Sequence, residues 1–289
     1  MNRRTVRNLL AVLVLVTTAA AAGIFIGNNP KIIDQLATTS ISLIFLLLGL
    51  YLLFMVSLWL IFRGSLVLAS ATLPRGETML VTAYSSIINF FGPLQSGPAF
   101  RAIYLKKRHK VSLKRYALAS LVYYFFYAFF SWICLLSGLV GWWALVLGII
   151  GLIGLLALSN LPSKRIMEIK TLNKRGVILT ASATALQVMI LIAIFYIELK
   201  SVDPKITLHQ AITYTGAANF ALFVSITPGA IGFRESFVLA TQQLHNIPNI
   251  TVVAASLLDR AVYVSMLLLL AIGIFGSQAK KTIEHLKTR

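Results

Sequence analysis

Ser225-Ile-Thr-Pro-Gly-Ala-Ile-Gly-Phe-Arg-Glu-Ser236 lies between two apolar runs and interrupts them with a proline, two glycines and two charges. A bilayer offers no water to the backbone groups that such a break frees. Broken backbone at membrane depth therefore occurs where it lines a cavity or is covered by protein. Charged side chains at that depth usually mark a functional site. The stretch is either a solvated loop or an embedded break that carries Arg234 and Glu235.

The composition predicts a membrane protein. The chain has 289 residues, of which 58% are hydrophobic and 12% are charged, and its mean hydropathy is +0.85. Soluble domains carry about 25% charged residues. Runs such as Ile41–Phe62 and Val177–Ile197 reach the roughly 20 residues that a helix needs to cross the hydrocarbon core. We expect one integral membrane domain over residues 1–289.

The positive charges predict the orientation. The net charge is +18, and 21 of the 26 Lys and Arg residues fall in the termini and loops that we assign to the cytoplasm. Three of the 26 fall in the loops that we assign to the outside. This asymmetry follows the positive-inside rule. We therefore expect a multi-pass protein of the cytoplasmic (inner) membrane with both termini in the cytoplasm. No compact basic domain is present to bind nucleic acid, so none is expected as a partner.

The residues that usually carry catalysis form no recognisable set. Cys134 is the only cysteine, and the four histidines are scattered without metal-ligand spacing. No Gly-x4-Gly-Lys-Ser/Thr sequence is present for a nucleotide phosphate. We expect no enzyme activity, no metal and no cofactor.

The pattern of apolar runs predicts an all-α polytopic fold with about six transmembrane helices and two re-entrant helical hairpins. The basic N-terminus and the small residues before Ala22 also resemble a cleaved signal peptide over Met1–Ala22. We favour a first helix, because the apolar run continues to Ile26. The six predicted helices are Leu9–Ile26, Ile41–Phe62, Tyr116–Leu136, Ala144–Ser159, Val177–Ile197 and Ile250–Phe275.

Each hairpin is predicted from two short apolar pieces that flank a Gly/Pro break. Glu77–Leu105 has its break at Gly92–Pro98 and basic flanks, so we expect it to enter and leave on the cytoplasmic side. The alternative is one ordinary helix followed by an interfacial helix. Thr207–Leu244 contains the opening stretch. Its flanks, Glu198–Lys205 and His245–Asn249, are poor in Lys and Arg and are predicted outer loops.

This order predicts an inverted repeat, with residues 1–138 and 139–289 as the two halves. A short identity supports it, since Ala119-Ser-Leu-Val122 after the first hairpin matches Ala255-Ser-Leu-Leu258 after the second. Two hairpins that enter from opposite faces would bring their breaks and helix N-termini together near the midplane. Helix N-termini and arginine both favour an anion. We therefore predict a binding site for an anionic headgroup at Gly97, Pro98, Arg101, Pro228, Gly229, Gly232 and Arg234.

Three further charged residues are predicted to form ion pairs or a gate. Asp259 and Arg260 lie inside the last apolar run, and Glu235 follows Arg234. Charges within a membrane usually pair with one another. Arg260 with Glu235 and Asp259 with Arg234 are the alternatives that the sequence offers.

At these residues the chain resembles a known family. Thr227-Pro-Gly-Ala-Ile-Gly-Phe-Arg-Glu235 is similar to the Pro-Gly-Gly-x-Gly-x-Arg-Glu signature of the lysylphosphatidylglycerol synthase membrane-domain family of flippase-like proteins. Gly97-Pro-Ala-Phe-Arg-Ala-Ile-Tyr-Leu-Lys106 is similar to its earlier Gly-x-x-x-Arg-Ala-x-x-Leu segment. There are two departures. Ala230 replaces a glycine, and Tyr123-Tyr124 stands where an acidic residue and an arginine are expected.

The resemblance implies a polytopic α-helical domain that moves lipids, such as aminoacylated phosphatidylglycerol or polyprenyl-phosphate-linked glycans, across the cytoplasmic membrane. The soluble aminoacyl-transferase domain of some members has no counterpart in these residues, so the synthase activity is not carried over. Our first hypothesis is a flippase-like transporter of an anionic lipid, with membrane lipids as its surroundings. The alternatives are a secondary transporter of a small soluble anion, and a non-transporting subunit that anchors a glycosyltransferase or another lipid-modifying partner.

Overall fold

The computed structural model describes residues 39–92, 96–158, 173–224, 230 and 232–287, and every regular element in these ranges is a helix. Proline, glycine and positive-φ residues separate the helices. Pro74 precedes the second helix, and Gly141 (φ 61°) and Gly232 (φ 82°) adopt the left-handed region that favours glycine. The ten helices are α1 (Ile41–Leu68), α2 (Arg75–Phe91), α3 (Ser96–His109), α4 (Leu113–Val140), α5 (Trp143–Leu158), α6 (Lys174–Val202), α7 (Leu208–Val224), α8 (Phe233–Ala240), α9 (Gln242–His245) and α10 (Asn249–Lys287).

Four of these helices are long and apolar enough to cross a membrane: α1, α4, α6 and the Asn249–Ile274 part of α10. The count of six expected from the sequence is not reached in the described residues. The predicted helix Leu9–Ile26, and with it the choice between a helix and a cleaved Met1–Ala22 signal, lies outside them. The predicted helix Ala144–Ser159 appears as α5 over Trp143–Leu158, and residue 159 lies outside the described residues.

Helices α2 and α3 form an antiparallel pair, which we call hairpin 1. Near the break, Ser96 Oγ donates to the carbonyl of Ile88 at 2.7 Å. At the far end, Tyr104 and His109 contact Glu77 Oε1 at 2.5 and 2.7 Å. The hydrogen bond from Tyr104, and then the one with His109, lowers the pKa of Glu77 below its ordinary value of 4.5. The helix after the break begins at Ser96, so Gly97 and Pro98 belong to its first turn rather than to the break.

Helices α7, α8 and α9 also fold back on themselves, and we call them hairpin 2. Gln210 near the start of α7 donates to the carbonyl of Asn246 at 3.2 Å. The ring of Tyr214 lies 6.0 Å from that of His245. The end of the hairpin therefore returns to its beginning. The segment 225–229 between the arms lies outside the described residues.

The long helices pack closely where small residues meet backbone. Gly64 lies against Thr180 and Gly176 against Leu68, which makes α1 and α6 antiparallel neighbours. A Cβ at Gly216 of α7 would lie 2.7 Å from the Ser131 carbonyl oxygen of α4. Buried alanines on α7 extend this close contact, and Cys134 of α4 is buried in the same core. Hairpin 2 therefore packs against a helix of the first predicted half.

Basic residues gather at one end of the bundle. Phe62 of α1, Leu105 of α3 and Tyr116 of α4 pack together there. The basic residues that flank this cluster come from four helix ends: Arg75, Lys106 to Arg108, Lys114, Arg115, Lys174 and Arg175. This distribution agrees with the charge asymmetry seen in the sequence.

One predicted loop is wrong. Glu198–Lys205 is expected to be a loop, but α6 continues to Val202 and the side chain of Glu198 is 1% exposed. The carboxylate of Glu198 interacts with Asp259 and Arg234 from two other helices, so this charged residue is buried rather than solvated.

Candidate functional site

A cavity of about 240 Å³ lies where the two hairpins meet the long helices, and we call it the polar cavity after the charged and amide side chains in its wall. Hairpin 1 contributes Ser85, Asn89, Gly97, Pro98 and Arg101, and hairpin 2 contributes Asn219, Ala230 and Arg234. Aromatic and polar side chains of the spans complete the wall: Tyr51, Phe54, Tyr123, Tyr124, Tyr127, Gln187, Phe195, Asp259, Arg260 and Tyr263.

The structure brings together most of the residues singled out from the sequence. Gly97, Pro98 and Arg101 line the cavity from one hairpin and Arg234 lines it from the other, with Asp259 and Arg260 between them. Gly232 is exposed. Glu235 is not among the residues that line the cavity, and it forms ion pairs with Arg234 and Arg260. Pro228 and Gly229 lie outside the described residues.

Arg234 is buried and bound to carboxylates. It is 8% exposed, and its Nη2 lies 2.5 Å from Asp259 Oδ2 and donates to Ser256 Oγ at 2.9 Å. Tyr51 donates a hydrogen bond to the other oxygen of Asp259. The charge expected to attract an anion is therefore already balanced by a carboxylate within the protein.

Glu235 binds three partners. Its Oε1 accepts from Ser256 Oγ at 2.7 Å and from Arg260 Nη2 at 3.2 Å. Its Oε2 accepts from the backbone N–H of Gly232 at 2.8 Å. Both ion pairs that the sequence offered as alternatives are thus present. The carboxylate also caps the start of α8, so this N–H of Gly232 is not free for an anion.

Arg101 has a different environment. Its Nε donates to Ser85 Oγ at 2.6 Å, and its guanidinium lies 5.0 Å from the ring centre of Phe62. The guanidinium also interacts with the hydroxyl of Tyr116. All three partners are uncharged. Within the part of the chain that the structure describes, no carboxylate forms an ion pair with Arg101.

The short Ala-Ser-Leu identity allows the two predicted halves to be compared at the cavity. Counting from Ala119 and Ala255, Tyr123-Tyr124 and Asp259-Arg260 occupy the same positions, and all four line the cavity. In the second half Asp259 pairs with Arg234. In the first half the equivalent position is Tyr123, which carries no charge at neutral pH. Among the described residues, Arg101 is therefore the one of the two arginines without a carboxylate partner.

Two cavity residues that the sequence did not assign to the site have unpartnered polar atoms. Asn219 is 1% exposed and its Nδ2 has no hydrogen-bond partner among the described residues. Gln187 is 3% exposed and the same holds for its Oε1. Buried polar groups usually find a partner, so such atoms call for a ligand, an ion or a water. Each hairpin contains an asparagine, Asn89 or Asn219, and this shared feature was the sequence signal for Asn219. No pattern marks Gln187, which lies inside an apolar run.

An apolar groove of about 390 Å³ lies beside this cavity between α1 and α10. The cavity is lined by Tyr51 on α1 and Tyr263 on α10, and the groove begins one turn further along both helices, at Leu48 and Met266. The other groove-lining residues are Leu52, Leu269, Leu270, Gly273 and Ile274.

The family model described as the lysylphosphatidylglycerol synthase TM region matches residues 8–271. The chain belongs to this family. No curated protein matches the chain. The matched lysylphosphatidylglycerol synthase TM region includes both hairpins and every residue that lines the cavity. Membership in this family indicates a membrane protein with a lipid-related function.

Proposed function

We propose that the chain is a flippase-like transporter that moves an anionic lipid across the cytoplasmic membrane and holds the lipid's phosphate at Arg101. The observation that carries the proposal is the guanidinium of Arg101, which lines the polar cavity and has only uncharged partners among the described residues. Arginine binds phosphate through several parallel N–H donors, and such charge-assisted bonds are stronger than neutral ones. The phosphate is common to phospholipids, aminoacylated phospholipids and polyprenyl-phosphate-linked glycans.

The opposite hairpin supplies a second donor. The Nδ2 of Asn219 is buried, lines the same cavity and has no partner among the described residues. A phosphate between Arg101 and Asn219 would satisfy this amide and balance the guanidinium. The anion would then bridge hairpins 1 and 2. This assignment moves the main positive charge of the predicted site from Arg234 to Arg101.

The apolar groove supports a lipid over a soluble anion. A cavity of about 240 Å³ is smaller than the roughly 300–1,000 Å³ of pockets that enclose a drug-sized ligand. It has room for a headgroup phosphate but not for acyl or polyprenyl chains. The groove between α1 and α10 is apolar and begins beside the cavity, so a chain could lie there while the phosphate contacts Arg101.

The repeat offers a mechanism for movement. In transporters built from inverted repeats, one half rocks against the other around a site near the midplane. The cavity is lined by both hairpins, so a change in their relative position would alter access to it. We propose two re-entrant hairpins in an inverted repeat, with both termini in the cytoplasm, as the basis of alternating access.

The test uses protein in vesicles of phosphatidylcholine and phosphatidylglycerol that contain fluorescent phosphatidylglycerol. A membrane-impermeant quencher then measures how fast the label changes leaflets. We expect the wild type to accelerate this movement and Arg101→Gln to reduce the rate at least about tenfold, in keeping with the loss of one charged hydrogen-bonding partner. Arg115→Gln serves as the matched control, because Arg115 is exposed at the basic end.

An Arg101→Gln protein that moves the lipid as fast as wild type would refute the site. Vesicles loaded with inorganic phosphate test the soluble-anion alternative. Efflux that depends on Arg101 without lipid movement would favour that function instead.

A separate observation favours an additional anchoring role. Lys106, Lys107 and Arg108 are exposed at the end of α3, next to exposed Lys110. We propose that this basic end can hold a glycosyltransferase or another lipid-modifying partner. Neutralising Lys106, Lys107 and Lys110 should then abolish recovery of the partner in a pull-down and leave lipid movement intact. Equal recovery of the partner with the wild type and with the triple variant would exclude this role.

A further inference from the structure

Glu198 is a buried carboxylate that the proposed anion site does not use. It lies near the end of α6, is 1% exposed, and its Oε1 has no hydrogen-bond partner within the described part of the chain. It interacts electrostatically with Asp259 of α10 and Arg234 of α8. Glu198 therefore lies beside the ion pair that forms one wall of the cavity.

The charges around Glu198 do not balance if every group is ionised. The described cluster contains three carboxylates, Glu198, Glu235 and Asp259, and two guanidiniums. Each guanidinium has a closer acid than Glu198, since Arg234 lies 2.5 Å from Asp259 and Arg260 lies 3.2 Å from Glu235. Of these three carboxylates, Glu198 is the one that forms no ion pair with either guanidinium.

An ionised carboxylate in this position is unfavourable. Burying an unpaired charge costs several kcal/mol, and such a group usually neutralises instead. A proton on Glu198 makes the cluster of five side chains electrically neutral. The other groups that face Glu198 do not supply a compensating charge, because Tyr51 of α1 and Tyr214 of α7 are neutral at physiological pH. His245 of α9 contacts Tyr214 rather than Glu198.

We propose that Glu198 is a proton-binding site that is coupled to the anion site, so that one proton is carried with each anionic lipid. This inference rests on the proposed function. An anion in the cavity adds a negative charge beside the Arg234–Asp259 pair, with which Glu198 interacts electrostatically. That charge strengthens the binding of a proton to Glu198. By linkage, the proton strengthens the binding of the anion to the same extent.

The coupling has a physical consequence for transport. A phosphate with one negative charge and a proton on Glu198 together add no net charge to the protein. Proton and lipid would therefore cross together without a net movement of charge, and the membrane potential would not oppose the step. A proton gradient could then drive lipid movement without nucleotide hydrolysis.

The first experiment detects the proton directly. Infrared spectra of the purified protein at neutral pH should contain the carbonyl stretch of a protonated carboxylic acid, which shifts in deuterated water. The whole chain has only 8 Asp and Glu residues, so the band is assignable. We expect it to disappear in Glu198→Gln, to return in Glu198→Asp, and to persist in Glu77→Gln. A band that survives Glu198→Gln, or a wild type without the band, overturns the proposal.

The second experiment measures coupling in vesicles that contain fluorescent phosphatidylglycerol and an entrapped pH dye. In the wild type, lipid movement should rise by up to about tenfold for each unit that the pH falls across the titration of Glu198, with proton uptake alongside. Glu198→Gln should remove both effects. If it keeps the wild-type pH response, the inference fails. If the wild type moves no lipid at any pH, the proposed function fails and the infrared result still decides whether Glu198 binds a proton.

Discussion

The guanidinium of Arg234 lies 2.5 Å from the carboxylate of Asp259, and the two residues belong to a short hairpin helix and to the last long helix. This ion pair joins hairpin 2 to α10 at the wall of the polar cavity. It also decides which arginine is available to a ligand. Arg234 is balanced within the protein, whereas Arg101 has only uncharged partners among the described residues.

We expect Asp259→Asn to destabilise the protein strongly. The substitution keeps the shape of the side chain but leaves Arg234 buried without its closest acid. Breaking a buried pair in this way costs about 3–5 kcal/mol, which corresponds to a fall in Tm of about 6–20 °C. Thermal unfolding in detergent measures the change in Tm. The double variant Arg234→Met with Asp259→Leu is the control and should recover most of the loss, and an unchanged Tm in Asp259→Asn would contradict the prediction.

We expect Tyr123→Asp to abolish the anion site. This substitution places a carboxylate where the second half has Asp259, close enough to interact with Arg101. The guanidinium would then be balanced by the protein, as Arg234 is. Movement of fluorescent phosphatidylglycerol should fall at least about tenfold, as expected for the loss of a charged hydrogen bond. Tyr123→Phe, which adds no charge, should move lipid at close to the wild-type rate, and equal rates for both variants would speak against the charge argument.

We expect Gly97→Ala to open hairpin 1. A Cβ at Gly97 would lie 2.5 Å from the carbonyl oxygen of Ser85 and 2.8 Å from the Cβ of Asn89, so α2 and α3 would have to separate. Overpacking of this kind costs about 1–3 kcal/mol. Thermal unfolding and hydrogen exchange of α3 would report the change. Gly76→Ala is the matched control, because nothing lies within 4 Å of its added Cβ. Equal stability of the two variants would show that the close approach is unimportant.

We expect the basic end of hairpin 1 to weaken in acid. Because Tyr104 and then His109 lower the pKa of Glu77, the ionised carboxylate stabilises the fold at pH values above its ordinary pKa of 4.5. This contribution is lost as the pH falls from 4.5 through the lowered pKa. Trp59, which donates to Thr78 Oγ1 at 2.8 Å, offers a fluorescence signal beside the first turn of α2. In Glu77→Gln this pH dependence should be absent, and its persistence would assign it to another group.

Local sequence predicted the breaks well. Gly92 and the segment before Gly232 end short apolar pieces, and the structure folds the flanking helices back at both places. These signals are local, since proline and glycine act on the backbone where they stand. The pairs of Arg234 with Asp259 and of Arg260 with Glu235 also followed from the rule that embedded charges seek partners.

Features that depend on long-range packing could not be predicted from the sequence. Glu198 follows an apolar run and was assigned to a loop, because nothing nearby in the sequence shows that α8 and α10 bring charges to it. The same limit applies to Arg234, whose neutralisation depends on a residue 25 positions further along the chain. The contrast between Tyr123 and Asp259 was visible in the sequence. Its meaning required the structure, which places both residues at one cavity.

The burial of Cys134 makes the natural chain convenient for spectroscopy. It is the only cysteine in the sequence, and its thiol is enclosed in the core. A cysteine introduced at an exposed position would therefore be the one thiol that a maleimide probe reaches readily. Phe91 at the end of α2 and Phe233 at the start of α8 are 53% and 37% exposed. Spin labels at these two positions would give the distance between the tips of the hairpins directly, without first removing a native thiol.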